Sequence, residues 1–208
     1  MNRRAMWKAK HAFAPIAAIA LTLSLTGCGQ KSSGGVPADA PLAGAAIGGP
    51  FDLVDAAGKP VKWSDFDGKY RIVYFGYTYC PDVCPTDVAR IMQGYAKFKA
   101  DEPELAAQVQ PIFISVDPER DTPAKVGEFT HAFSDDLIGL TGTPEQVKAA
   151  ADAFKVYYKK GETSSGGGYL VDHSGVTYLM GPKGEPIALL PVDKGPAAVA
   201  ADLARWVS

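Results

Sequence analysis

The sequence predicts an α/β domain in which a central mixed sheet is flanked by helices and led by a small β-hairpin. Three observations point there. Two runs dense in β-branched and aromatic residues, 70–77 (YRIVYFGY) and 109–116 (VQPIFISV), read as buried strands. Stretches with apolar residues at helical spacing follow them, and this alternation of strand and helix argues for parallel neighbours. A last pair of strand-like runs, separated by a Gly-Pro-Lys-Gly turn, adds antiparallel strands.

Taken in order, 51–55 alternates apolar and polar, turns at Ala57-Gly58-Lys59 and continues through 60–63, which gives the leading hairpin. The strand at 70–77 runs into Thr78-Tyr79-Cys80-Pro81-Asp82-Val83-Cys84-Pro85. A helix is expected over 86–100, with Val88, Ile91, Met92, Tyr95 and Phe98 on one face. After the strand at 109–116 comes a loop, 117–121. Thr122-Pro123 then opens a helix with a capping residue followed by proline, and Val126, Phe129 and Phe133 form its apolar face. A short strand is expected at 137–140. Thr143-Pro144-Glu145-Gln146 repeats the cap signal for a helix reaching about 157. The stretch 161–168 (GETSSGGG) is a loop, and strands at 169–172 and 177–180 flank His173. A strand at 186–190 and an amphipathic helix at 196–207 close the domain. A cysteine pair where the first core strand meets its helix is the thioredoxin-like arrangement.

The chain of 208 residues holds more than this domain. Residues 1–27 carry Arg3, Arg4, Lys8 and Lys10 with no acid, then an apolar run and small residues, the build of a lipoprotein signal peptide. The apolar run is too short for a comfortable membrane span. Leu25-Thr26-Gly27-Cys28 looks like a bacterial lipobox, which makes Cys28 the lipidated first residue of the mature chain. Residues 28–49 then read as the lipidated cysteine and a flexible tether, and 50–208 as the folded domain. Cleavage before Cys28 lowers Lys+Arg from 21 to 17 against 23 Asp+Glu, so the net charge moves from −2 to −6. Such a domain has no net positive charge with which to neutralise phosphates, which argues against nucleic acid as a partner. Three cysteines are too few for a disulfide scaffold.

The chemistry therefore falls to Cys80 and Cys84. Their spacing is expected to set both sulfurs on one helix face, near a helix N-terminus that favours thiolates. Asp82 and Asp87 oppose this. Thioredoxin-type oxidoreductases usually have two residues between their cysteines. Three leave room for a metal, while a disulfide stays geometrically possible. Two thiolates enclose a soft ion poorly, so a third ligand is wanted. His131, on the predicted second helix, reads as a solvent-facing or packing residue. His173, in a loop after the Gly-rich stretch, is the candidate. A Cys2His set suits copper, and also zinc. Tyr77 and Trp63 read as core.

The run Phe75-Gly-Tyr-Thr-Tyr-Cys80-Pro-Asp-Val-Cys84-Pro85 resembles the signature of the Sco/SenC family of copper-binding thioredoxin-like proteins. Ile114-Ser-Val-Asp117-Pro-Glu-Arg-Asp121-Thr-Pro123 and Asp172-His173-Ser174 match further family motifs, and the resemblance covers about 49–207. Tyr79 departs from it, since many members carry histidine there. The resemblance implies copper, as Cu(I) and Cu(II), bound by Cys80, Cys84 and His173. It also implies that Asp117 and Asp121 orient the histidine or a loop near the metal, although Asp121 is equally placed to cap the helix at Pro123. The implied function is a membrane-tethered copper chaperone, more a metallochaperone than an enzyme. It would take copper from an upstream periplasmic donor and deliver it to the binuclear copper site of cytochrome c oxidase or to another cuproprotein. The alternative is a thiol-disulfide oxidoreductase that reduces the client's copper-ligand cysteines through a redox-active Cys80–Cys84 pair. Either places the protein in the bacterial cell envelope, lipid-anchored to a membrane, with its domain facing the periplasm or cell exterior.

Overall fold

A computed structural model describes Pro37 and residues 39–208. The expected signal peptide, Cys28 and the first part of the tether lie outside the described residues; residues 39–49 lie along the domain, where the Leu42 N–H donates to the Ile187 carbonyl (2.9 Å) and the Gly48 N–H to the Ala153 carbonyl (2.9 Å). Among those described, no helix is long and apolar enough to cross a membrane.

The leading hairpin forms as expected, with β1 (Asp52–Val54) antiparallel to β2 (Pro60–Lys62). The two apolar runs become the centre of a five-stranded sheet. In it β3 (Tyr70–Gly76) lies parallel to β4 (Val109–Ser115), and β4 parallel to β5 (Ile138–Leu140). Two strands extend the other side: β8 (Thr177–Met180) pairs antiparallel to β3, and β9 (Pro186–Leu189) antiparallel to β8. The sheet order is β5-β4-β3-β8-β9. Every residue of β3 is buried, as expected of a largely apolar central strand covered on both faces; its one charged residue, Arg71, donates to the Gly181 carbonyl (2.7 Å) and to Asp67 (2.9 Å). The mixed sheet flanked by helices, with its N-terminal hairpin and a cysteine pair after β3, is the thioredoxin-like architecture.

The helices are α1 (Val83–Asp101), the single turn α2 (Pro103–Ala106), α3 (Pro123–His131), α4 (Pro144–Ala153) and α5 (Pro196–Trp206). The predicted stripe of α1, from Val88 to Phe98, is buried. Gly94 lets α1 and α5 approach closely: a Cβ there would lie 2.6 Å from the Val199 Cβ. α4 is opened by the expected capping box, Thr143 with Gln146.

Three boundaries differ from expectation, each for a local reason. α1 starts at Val83 rather than 86, because Pro85 sits in the first turn, where backbone N–H groups have no intrahelical acceptor anyway. Only Cys84 is therefore helical; Cys80 lies in the preceding turn, with its N–H bonded to the Tyr77 carbonyl (3.2 Å). This replaces the picture of two sulfurs on successive helical turns. α3 ends at His131, so Phe133 packs from the turn beyond it. α4 stops at Ala153, because Lys155 adopts a left-handed conformation (φ 57°) that ends the helix. The chain so released forms β6 (Tyr158–Lys160), antiparallel to β7 (Val171–His173). This two-stranded arm, joined by the Gly-rich loop, carries His173.

Candidate metal centre

Three side chains meet at the carboxyl end of β3: Cys80 from the turn that follows it, Cys84 from the first turn of α1, and His173, expected in a loop, from the last residue of β7. The ligand atoms of Cys80, Cys84 and His173 all lie within 4.8 Å of one another. Both thiols are free. The Cys84 sulfur stands 3.2 Å from His173 Nε2, and the Cys84 backbone N–H donates to the Cys80 sulfur (3.3 Å). Gly76, the last residue of β3, gives Cys84 its seat: a Cβ there would lie 3.1 Å from the Cys84 sulfur and 2.9 Å from the Tyr74 ring. The rings of Tyr74 and Tyr77 stand edge-on to the imidazole, with centroids 6.3 and 5.8 Å away. Tyr77, expected in the core, is buried and also walls the site.

The imidazole is presented in one tautomer. Nδ1 lies 3.2 Å from the Ser174 carbonyl oxygen, which only accepts, so Nδ1 carries the proton and Nε2 offers its lone pair toward the sulfurs. Burial lowers the His173 pKa below its usual 6.5, despite opposing pulls from the Ser174 carbonyl and the Asp87 and Asp172 carboxylates. The neutral, ligating form thus prevails at neutral pH.

The two thiols differ. Burial pushes the Cys84 pKa up to about 12, helped by its hydrogen bond to Cys80. Burial also opposes ionisation of the half-buried Cys80. There, backbone N–H groups of Asp82, Cys84 and Val83, with the Cys84 side chain, outweigh it and bring the pKa below its usual value. The expectation that the helix terminus favours both thiolates therefore holds for Cys80 alone. Two sulfurs and an imidazole nitrogen on so short a spread form a soft tripod, since metal–sulfur bonds of about 2.3 Å reach across it.

Asp117 and Asp121 surround this centre without touching the imidazole. Asp121 holds the cysteine loop: its carboxylate accepts from the Thr78 N–H (2.9 Å), the Thr78 hydroxyl (2.6 Å) and the Ser115 hydroxyl (2.6 Å). It does not cap α3; Thr122 does, accepting from the Lys125 N–H. Asp117 accepts from Arg120 Nε (2.6 Å) and the Tyr169 hydroxyl (2.7 Å). His131 stands apart from the cluster, exposed and paired with Asp135, as a solvent-facing histidine should. Sequence reasoning missed Tyr74, whose hydroxyl donates to Asp87 (3.3 Å), and the pair Arg120 and Tyr169. Only the strand pattern around Tyr74 hinted at its placement.

The SCO1/SenC family profile matches residues 39–208. The chain is 47% identical over 146 residues to "Protein SCO1 homolog 1, mitochondrial" of Arabidopsis thaliana, covering 70% of this chain and 42% of that protein. It is 47% identical over 148 residues to "Protein SenC" of Rhodobacter capsulatus, covering 68% of this chain and 62% of that protein. The chain thus spans about half the length of the curated relatives it matches. The crystal structure of Arabidopsis thaliana ScoI with copper bound aligns with a TM-score of 0.72 and 41% identity, over 77% of this chain and 97% of that one.

Proposed function

The chain belongs to the SCO1/SenC family, and from that premise we propose that it is a membrane-tethered copper chaperone that carries one copper ion on Cys80, Cys84 and His173 and delivers it to the binuclear copper site of cytochrome c oxidase. The observation that supports this most directly is the Cys-Cys-His tripod within 4.8 Å, in a relative of a protein crystallised with copper. Copper is the cargo. Soft thiolates hold Cu(I), and the imidazole keeps the set competent for Cu(II). Delivery proceeds by ligand exchange: a client thiolate enters as one of the three protein ligands leaves. His173 is suited to leave first, because it rides on the two-stranded arm while both sulfurs are fixed at the β3–α1 junction. Cys28 supplies the lipid anchor, and the domain works on the outer side of the membrane with an upstream copper donor.

A second reading, reduction of the client's copper-ligand cysteines, draws on the contrast between the two thiols. An accessible thiol of lowered pKa beside a buried protonated one is the pairing of attacking and resolving sulfurs. One set of variants separates the readings. Copper titration of the reduced full chain in detergent, with spectroscopy of the Cu(II) form, is expected to give one copper per chain and a sulfur-to-copper charge-transfer band. Cys80→Ser and Cys84→Ser abolish both; His173→Ala weakens copper binding but spares thiol-disulfide exchange. Unaltered stoichiometry and affinity in all three variants would sink the copper site.

A further inference from the structure

Arg120 lies in the loop between β4 and α3, and its side chain is only 20% exposed. It touches both halves of the metal centre. Its guanidinium stacks 3.5 Å from the Tyr169 ring centroid and 4.8 Å from that of Tyr79, and lies 5.8 Å from Tyr77. Tyr79 and Tyr77 belong to the cysteine loop, and Tyr169 enters the strand that ends in His173. Nη1 donates to the Tyr169 carbonyl (2.9 Å), and Nε donates to Asp117, which also receives the Tyr169 hydroxyl. The arm needs such a hold. An isolated two-stranded hairpin is marginal in water, and here three residue pairs and a Gly-rich loop make up the arm. Arg120 Nη2 is buried with no acceptor among the described residues.

We propose that Arg120 is a positioning residue that clamps the histidine-bearing arm to the cysteine loop, setting the distance between His173 and the two sulfurs for copper capture. The proposal rests on the ligand assignment above. Only the planar fork can stack on a ring and bond two acceptors edge-on; lysine at this position keeps the charge opposite Asp117 but loses the rest. Arg120→Lys therefore separates charge from clamp.

The test compares wild type, Arg120→Lys, His173→Ala and the double variant, each as the reduced full chain in detergent, titrated with Cu(II) and with Cu(I) against a chromophoric chelator. Arg120→Lys is expected to bind copper about tenfold more weakly, as loss of an outer partner of a ligand does, with a shifted charge-transfer band. In the His173→Ala background the same substitution is expected to produce no further loss, because the clamp acts through the histidine. A folded Arg120→Lys protein with wild-type affinity and band overturns the proposal, as does an equal loss in the His173→Ala background, which would make Arg120 a support of the fold alone. Wild-type titration by His173→Ala overturns the ligand assignment and the clamp together. If Arg120→Lys does not fold, Tyr169→Leu, which leaves the Arg120–Asp117 pair intact, decides by the same readouts.

Discussion

Replacing Asp121 with alanine removes the acceptor of three hydrogen bonds in a place water does not reach. Asp121 is 1% exposed, and its carboxylate serves the Thr78 N–H and the hydroxyls of Thr78 and Ser115. A buried donor left without an acceptor costs about 1–3 kcal/mol. The two hydroxyls can rotate toward other oxygens; the Thr78 N–H cannot. Removing the buried carboxylate also relieves a desolvation penalty, the cause that raises its pKa above 3.8. The balance is about 1–3 kcal/mol of destabilisation, a fall in Tm of about 2–12 °C for a domain of this size. Asp121→Asn keeps the shape and one carbonyl oxygen, and the Thr78 hydroxyl can turn to accept from the new amide, so about 1 kcal/mol is expected. Thr78 lies two residues before Cys80, so the alanine variant should also bind copper more weakly. The pH dependence has a definite sign. A carboxyl whose folded pKa is raised is held protonated more tightly by the folded state, so wild-type stability relative to Asp121→Asn falls as pH rises through the window above 3.8. Thermal unfolding by circular dichroism across that window, with copper titration at neutral pH, measures all three effects. An alanine variant within about 0.5 kcal/mol of wild type, the scatter of neutral surface changes, would refute the reasoning, as would a wild type that gains on the asparagine variant as pH rises.

Iodoacetamide should alkylate Cys80 well before Cys84 in the metal-free protein, because Cys80 is half-buried with a lowered pKa while Cys84 is fully buried with a pKa of about 12. Peptide mass mapping reads the order, and simultaneous labelling would contradict it. Copper binding must displace the Cys84 proton, so affinity should rise at least about tenfold per pH unit between pH 7 and 9. Competition titrations check this, and a flat profile speaks against Cys84 as a ligand. Gly94→Ala forces a Cβ to 2.6 Å from Val199 and 2.8 Å from the Pro196 carbonyl. It should destabilise the α1–α5 interface by about 1–3 kcal/mol while leaving the copper stoichiometry of the folded protein unchanged; chemical denaturation provides the measurement.

The parts of the molecule legible in the sequence are those whose physics is local. β3 and β4 announce themselves through runs dense in β-branched and aromatic residues, and α4 through its capping box. The cysteines stand out because so few thiols are present. β6 was illegible, since Tyr158-Lys159-Lys160 has neither length nor alternation; it exists because Lys155 ends α4 and β7 offers a partner. The four-residue spacing of the cysteines suggests one helix face for both, but Pro85 occupies the first turn of α1 and the helix takes in Cys84 while leaving Cys80 in the turn before it. Asp121 was legible as a residue near the site, but its acceptor role toward Thr78 spans 43 positions, and the Arg120–Tyr169 bond spans 49. No periodicity carries information across such gaps.

What closes those gaps is the parallel register of two strands. Gly76 pairs with Ser115 at the carboxyl ends of β3 and β4, so the loops that leave them, 77–82 and 116–122, run side by side. That adjacency puts Asp121 against Thr78 and Arg120 against Tyr77 and Tyr79. An antiparallel neighbour would deliver its loop to the other end of the sheet, and β8, which is antiparallel to β3, contributes none of these contacts. A slip of one residue between β3 and β4 would turn every side chain of one strand to the opposite face. Asp121 would lose Thr78, and the cysteine loop would lose the acceptor that fixes it ahead of Cys80. The buried apolar runs that hold β3 and β4 in register are therefore a condition for the metal centre as much as for the fold.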